Sequence, residues 1–110
     1  MRWYGRLCRS SEIAFVRRRG RRVSLAALTV FALAGPEGPT RVAVTVAKTV
    51  GNAVVRNRVR RRIRGALDAL GPEPRARKLL FVAKPVAASL PFERLAQDVA
   101  AALGRPGGAP

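Results

Sequence analysis

The sequence predicts an α+β fold in which helices pack against a small sheet. Three observations point to it. Short apolar and β-branched segments alternate with stretches of helical periodicity. The chain has 110 residues, room for a single modest core. Its hydrophobic residues make up 48%, more than a disordered tail carries.

Residues 1–9, MRWYGRLCR, read as a basic N-terminal arm with two aromatics, Trp3 and Tyr4. A single folded domain is expected over 10–103, followed by a flexible Gly- and Pro-rich tail over 104–110. Ser10 or Ser11 is placed to cap a helix running to Arg19, with Ile13 and Val16 inward at i, i+3 spacing and Gly20 as its stop. Residues 23–33, VSLAALTVFAL, are apolar, and Val30 and Phe31 favour strand. GPEGP at 35–39 reads as a turn, and RVAVTVA at 41–47 as a second, β-branched strand. Gly51-Asn52 makes a turn in which Asn52 suits a helix cap. From Ala53 the residues Val55, Val59, Ile63, Ala66, Leu67 and Leu70 recur at helical spacing, and Gly71-Pro72 stops the run. KLLFVA at 78–83 is a further strand. Pro91 fits the first turn of a last helix with Leu95, Val99, Ala102 and Leu103 inward. The order is helix, two or three strands, helix, strand, helix.

Charge is the outlying property. Lys and Arg number 22 against 6 acids, a formal net charge of +16. Such an excess repels itself unless a polyanion neutralises it, which makes nucleic acid the expected partner ahead of an anionic membrane. The chain has no histidine, so the commonest general base and metal ligand are missing. Cys8 is the only cysteine, which leaves no disulfide framework or thiolate metal site and fits a reducing, cytoplasmic setting. The stretch RRRGRRVSLAALTVFALAG has the layout of an export signal. Its apolar run is short, however, and cleavage after Ala34 would discard a helix and a strand. The same run is too short to span a bilayer.

The helix over 53–70 carries six arginines within nine residues, 56 to 64, and no acid lies between Glu37 and Asp68. Asn57, Arg60, Arg61 and Arg64 fall opposite the apolar stripe, Arg58 and Arg62 flank one side of it, and Arg56 flanks the other. A merely solvated helix intersperses acids to form i, i+4 pairs, so this face is expected to meet an anion. A strand, not a second helix, precedes it, which argues against a helix-turn-helix on DNA and for an RNA or single-strand platform.

Residues 50–64, V-G-N-A-V-V-R-N-R-V-R-R-R-I-R, resemble the signature of the bacterial ribonuclease P protein subunit. The likeness extends over about residues 6–103 through Arg6-Leu7, the helix ending at Gly20, the R-V-A-V-T-V-A-K strand and F-V-A-K-P at 81–85. The chain departs from the family with Arg60 where a Lys is usual, Gly65 where Glu or Gln is common, and Ile13 and Arg17 where two aromatics are frequent. The resemblance implies a two-layer α/β sandwich similar to a ribosomal-protein fold, with a left-handed βαβ crossover against the usual rule. It implies two RNA partners: a catalytic ribonuclease P RNA, and precursor tRNA whose 5′ leader is hydrolysed off with Mg2+ held mainly by the RNA. Neither a membrane nor a small-molecule substrate is expected, and no protein side chain is expected to be catalytic or to ligate metal. Arg56, Asn57, Arg58, Arg60, Arg61 and Arg64 would contact the catalytic RNA, with Lys48 and Thr49 extending that surface. Ile13, Val16, Arg17 and Phe31 would line a cleft for the single-stranded leader, with simple core packing the competing expectation for Ile13, Val16 and Phe31. A structural ribosomal protein and a general RNA chaperone are the alternative readings.

Overall fold

A computed structural model describes residues 3–34, 39–72 and 77–104. In chain order the elements are β1 (Gly5–Arg6), α1 (Ser10–Arg19), β2 (Arg21–Ser24), β3 (Leu28–Ala34), β4 (Arg41–Val46), α2 (Ala53–Leu70), β5 (Arg77–Ala83) and α3 (Phe92–Ala102), with 3-10 turns at Lys48–Val50 and Pro85–Ala88. The strands form one sheet in the order β1-β4-β5-β3-β2. β4 and β5 are parallel neighbours joined through α2, whereas β3 pairs antiparallel with both β5 and β2. The central strand is β5, and its Leu79, Leu80 and Phe81 are all fully buried. A strand covered on both faces reads as an unbroken apolar run, as KLLFVA does.

Alternation along the strands sorts the core into two clusters. Leu28, Val30, Val42, Val46, Leu79 and Phe81 pack against Val59, Ile63 and Leu67 of α2 and Leu95 and Val99 of α3. Ala43 and Leu80, facing the other way, pack with Leu7 and with Val16 of α1. The helix α2 keeps the bounds its sequence predicts. Asn52 caps it, its side-chain Oδ1 accepting from the Val55 N–H at 3.0 Å. Gly71, at φ 78°, ends it in a left-handed conformation that glycine adopts without cost.

Three expectations need correction, and one alternative is resolved. Residues 3–9 are not an arm outside the domain. β1 pairs in parallel with β4, Leu7 is buried, and the Trp3 Nε1–H donates to the Leu67 carbonyl at 2.8 Å. Neither Ser10 nor Ser11 caps α1; Arg9 occupies the cap position without a side-chain bond, and Ser10 is already helical. The apolar run at 23–33 turns back on itself as the hairpin β2–β3, which gives the three-strand form of the predicted order. Pro91 stands just before α3 as its cap residue rather than inside its first turn. The turn at 35–38 and the tail from 105 lie outside the described residues.

Gly20 is required by packing rather than by an unusual φ. A Cβ there would come within 2.5 Å of the Val16 carbonyl oxygen and about as close as contact allows to the Ala32 backbone. The end of α1 is thereby drawn down onto β3.

Candidate nucleic-acid interface

The basic side chains of α2 divide into an outer face and a ridge. Asn57, Arg58 and Arg61 are exposed, while Arg56, Arg60 and Arg64, at i, i+4 and i+8, are half-buried along the side toward β4. Asn57 accepts from Arg60 Nη1 at 2.9 Å, which orients that guanidinium before any ligand arrives. Arg56 has a buried Nε without a hydrogen-bond partner among the described residues. Arg62 turns the other way and donates to the Leu90 carbonyl at 3.1 Å, tying α2 to the segment before α3. Lys48 and Thr49 are both exposed in the 3-10 turn that leads into the Asn52 cap, so they continue the basic surface from the helix N-terminus.

A groove of about 240 Å³ connects this helix to the opposite face of the sheet. It wraps the β4 edge where β1 stops, and Arg64 lines it together with Arg6, Ile13 and Thr45. Beyond it lies the face that α1 only partly covers. Phe31, Leu33 and Val82 are half-buried there beside Ile13. The Arg17 guanidinium stands 5.8 Å from the centroid of the Phe31 ring, a cation–π arrangement. Ile13, Arg17 and Phe31 therefore share one open surface. Val16 does not; it is 0% exposed, sealed beneath α1 against Leu80, so a ligand in the cleft does not reach it.

The position of α1 is fixed by ionic contacts at its N-terminal half. Glu12 pairs with Arg41 at 3.2 Å and with Lys78 at 3.3 Å, reaching the starts of both β4 and β5. The hydrogen bond from Lys78 and the charge of Arg41 hold its carboxyl below the usual carboxylate range.

Three features escaped sequence reasoning. Phe15 is 43% exposed on the flank of α1 away from Phe31, with the Arg18 guanidinium 5.9 Å from its ring centroid; its place off the Ile13–Val16 stripe was the available signal. Asp98 is buried in α3 and accepts from the Ala27 N–H at 2.9 Å; an acid among inward Leu95, Val99 and Ala102 was the clue. Lys84, within F-V-A-K-P, donates from Nζ to Ser24 Oγ and the Leu25 carbonyl, holding the β2–β3 turn.

Among the described residues no three His, Cys, Asp or Glu side chains gather as a metal site. Glu12 is engaged by two cations and Asp98 by a backbone amide, so neither carboxylate stands open as a metal ligand. No described helix is long and apolar enough to cross a membrane.

Comparison with known proteins agrees with this fold. The sequence model of the family described as Ribonuclease P matches residues 1–107. The chain belongs to the ribonuclease P protein family. It is 42% identical over 107 residues to the ribonuclease P protein component of Mycobacterium sp. strain KMS, covering 91% of this chain and 87% of that one. It is 39% identical over 104 residues to that of Acidothermus cellulolyticus, covering 91% and 86%. The fold is similar to that of the RNase P protein from Staphylococcus aureus, at TM-score 0.81 and 19% identity over 94% of each chain. It is also similar to that from Thermotoga maritima, at TM-score 0.82 and 15% identity over 91% of this chain and 98% of the other. The ribonuclease P protein family thus assigns the chain to a ribonucleoprotein nuclease of tRNA processing.

Proposed function

We propose that the chain binds the catalytic RNA of ribonuclease P through α2 and holds the 5′ leader of precursor tRNA on the open face of the sheet. One observation carries this reading. A groove lined by Arg64 and Ile13 joins the arginine-rich face of α2, which carries no acid from Arg56 to Arg64, to a half-covered surface bearing an aromatic–cation pair. Arg58, Arg60, Arg61 and Arg64, with Arg56, Asn57, Lys48 and Thr49, would neutralise RNA phosphates and release their counterions. Phe31 offers a π-face to a leader base, and Arg17 and Ile13 bound its seat. The bases need no sequence readout for this, since stacking and phosphate contact serve any leader.

The division of labour follows from the side chains available. The chain has no histidine and no acid cluster for a general base or metal among the described residues, so bond cleavage and the Mg2+ that supports it would belong to the RNA. The protein contributes charge neutralisation and a fixed path for the leader, so that substrate bearing a leader is held in place. A cytoplasmic location accompanies that role.

The test is reconstitution with a bacterial ribonuclease P RNA at low magnesium, following leader release from precursor tRNA. Cleavage at the mature 5′ end, stimulated by the chain and absent with protein alone, is expected. Tight RNA binding without stimulation overturns the proposal in favour of a ribosomal or chaperone role. Arg60→Ala and Arg64→Ala should each weaken RNA binding and lower the log–log salt slope by about one unit for each phosphate no longer neutralised. Unchanged slopes in both would remove these residues from the interface.

A further inference from the structure

The basic face of α2 leaves a second concentration of charge unexplained. Residues 17–22 read R-R-R-G-R-R, and Arg17, Arg18, Arg19, Arg21 and Arg22 are all exposed. No acid occurs between Glu12 and Glu37, so the run has no offsetting charge nearby in sequence. Folding separates these cations by direction. Because β2 alternates, Arg21 and Arg22 leave opposite faces of the sheet. Arg21 stands in register with Ala32 and lines a recess with Arg77 and the C-terminal end of α3. Arg22 stands in register with Phe31, so its side chain emerges on the open face beside that ring. Phe31 thus has a cation from the helix on one side, Arg17, and a cation from the edge strand on the other.

Strand order turns this pair of neighbours into a path. The groove shared by Arg64 and Ile13 lies at the β4 edge, Phe31 is on β3, and Arg22 is on β2, the last strand of the sheet. Three inter-strand spacings separate β4 from β2, about 14 Å. An RNA strand that passes the arginine helix and crosses the open face leaves the protein over Arg22. We infer that Arg22 binds backbone phosphate of the leader nucleotides farthest from the cleavage site, beyond the base at Phe31. The edge strand β2 then sets how long a leader the protein senses. The inference rests on the leader-binding reading above. A guanidinium suits the role because its planar donor fork matches phosphate oxygens.

The adjacent residue supplies the control. Kd is measured for the reconstituted holoenzyme with precursor tRNAs whose leaders lengthen one nucleotide at a time, using the unaltered chain, Arg22→Ala, Arg21→Ala and Phe31→Ala. Affinity is expected to rise with leader length to a plateau. Arg22→Ala should reach its plateau at a shorter leader and bind the longest leaders about three- to ten-fold more weakly, with short leaders unaffected. Arg21→Ala, pointing to the other face, should retain the full length dependence. Equal losses for Arg21→Ala and Arg22→Ala, or no loss or a uniform one at every length for Arg22→Ala, overturn the inference alone if Phe31→Ala still loses leader affinity. If Phe31→Ala binds every leader as the unaltered chain does, the cleft reading falls and the inference with it.

Discussion

On one face of the sheet α2 and α3 lie over Leu28, Val30, Val42, Leu79 and Phe81. On the other, one ten-residue helix covers Leu80 and Ala43 and leaves Phe31, Thr45 and Val82 half in solvent. Each large side chain buried on the first face contributes about 1.5–3 kcal/mol, so that face carries most of the stability. The second face buries much less and holds its helix partly by charge, through Glu12 to Arg41 and Lys78. Incomplete cover is what keeps an apolar, aromatic surface available to a ligand. The protein can leave it open because the opposite face is closed.

The largest expected effect breaks the molecule on its closed side. Ile63→Ala, at a fully buried α2 position, should cost about 2–5 kcal/mol in urea unfolding. Ile13→Ala, on the open side, should cost distinctly less; equal costs would mean that the two faces are not energetically different. Next comes Phe31→Ala, which should lower leader affinity by about 1–3 kcal/mol if a base stacks there, with leaderless tRNA bound as before. Equal loss for both substrates would show Phe31 to be a core residue only. A smaller effect of the opposite sign is expected for Gly65→Ala. Its new Cβ would meet the Phe92 ring at 3.7 and 3.9 Å, ordinary contact, so the helix should gain about 0.5–1 kcal/mol, read as a raised Tm. A lowered Tm would show that Phe92 does not accommodate the methyl group.

The smallest effect concerns the ionic fastening of α1 and appears only as pH changes. Glu12 has a lowered pKa in the folded chain. The stability it adds is present above the ordinary carboxylate pKa, about 4.3, and is lost as pH falls through the lower folded value. Glu12→Gln should therefore flatten the acid side of a Tm-against-pH profile while changing little at strongly acidic pH, where the carboxyl is already protonated. A profile that keeps its acid slope would place the titration in another carboxylate.

Legibility in the sequence followed how local the determinants were. The bounds of α2 could be read because its signals are its own: the Asn52 cap, the stripe from Val55 to Leu70 and the Gly71-Pro72 stop. The β2–β3 turn could not, because Leu25, Ala26 and Ala27 include no turn-forming residue. That turn is held instead from far along the chain, by Lys84 on the Leu25 and Ala27 carbonyls and by Asp98 on the Ala27 N–H. The N-terminal residues were misjudged for a similar reason, since Trp3 and Tyr4 find their hydrogen-bond acceptors at Leu67 and Arg64. At the candidate site the arginines of α2 and the cluster of Ile13, Arg17 and Phe31 were accessible from pattern and resemblance. The burial of Val16 and the register of Arg22 with Phe31 needed the hairpin and the sheet order first.

The place of β5 also governs how the chain is made. It is the last strand to be synthesised, yet it lies at the centre of the sheet, between β4 and β3. A nascent chain that has not yet released residues 77–83 can form the β2–β3 hairpin and α2, but the two halves of the sheet have no common neighbour. Long-range pairing of this kind delays folding until nearly the whole chain has left the ribosome. Until then an arginine-rich, partly apolar polypeptide is exposed beside ribosomal RNA. A premature stop anywhere before β5 would leave a cationic fragment with no sheet to organise it, a substrate for proteolysis rather than a weakened subunit.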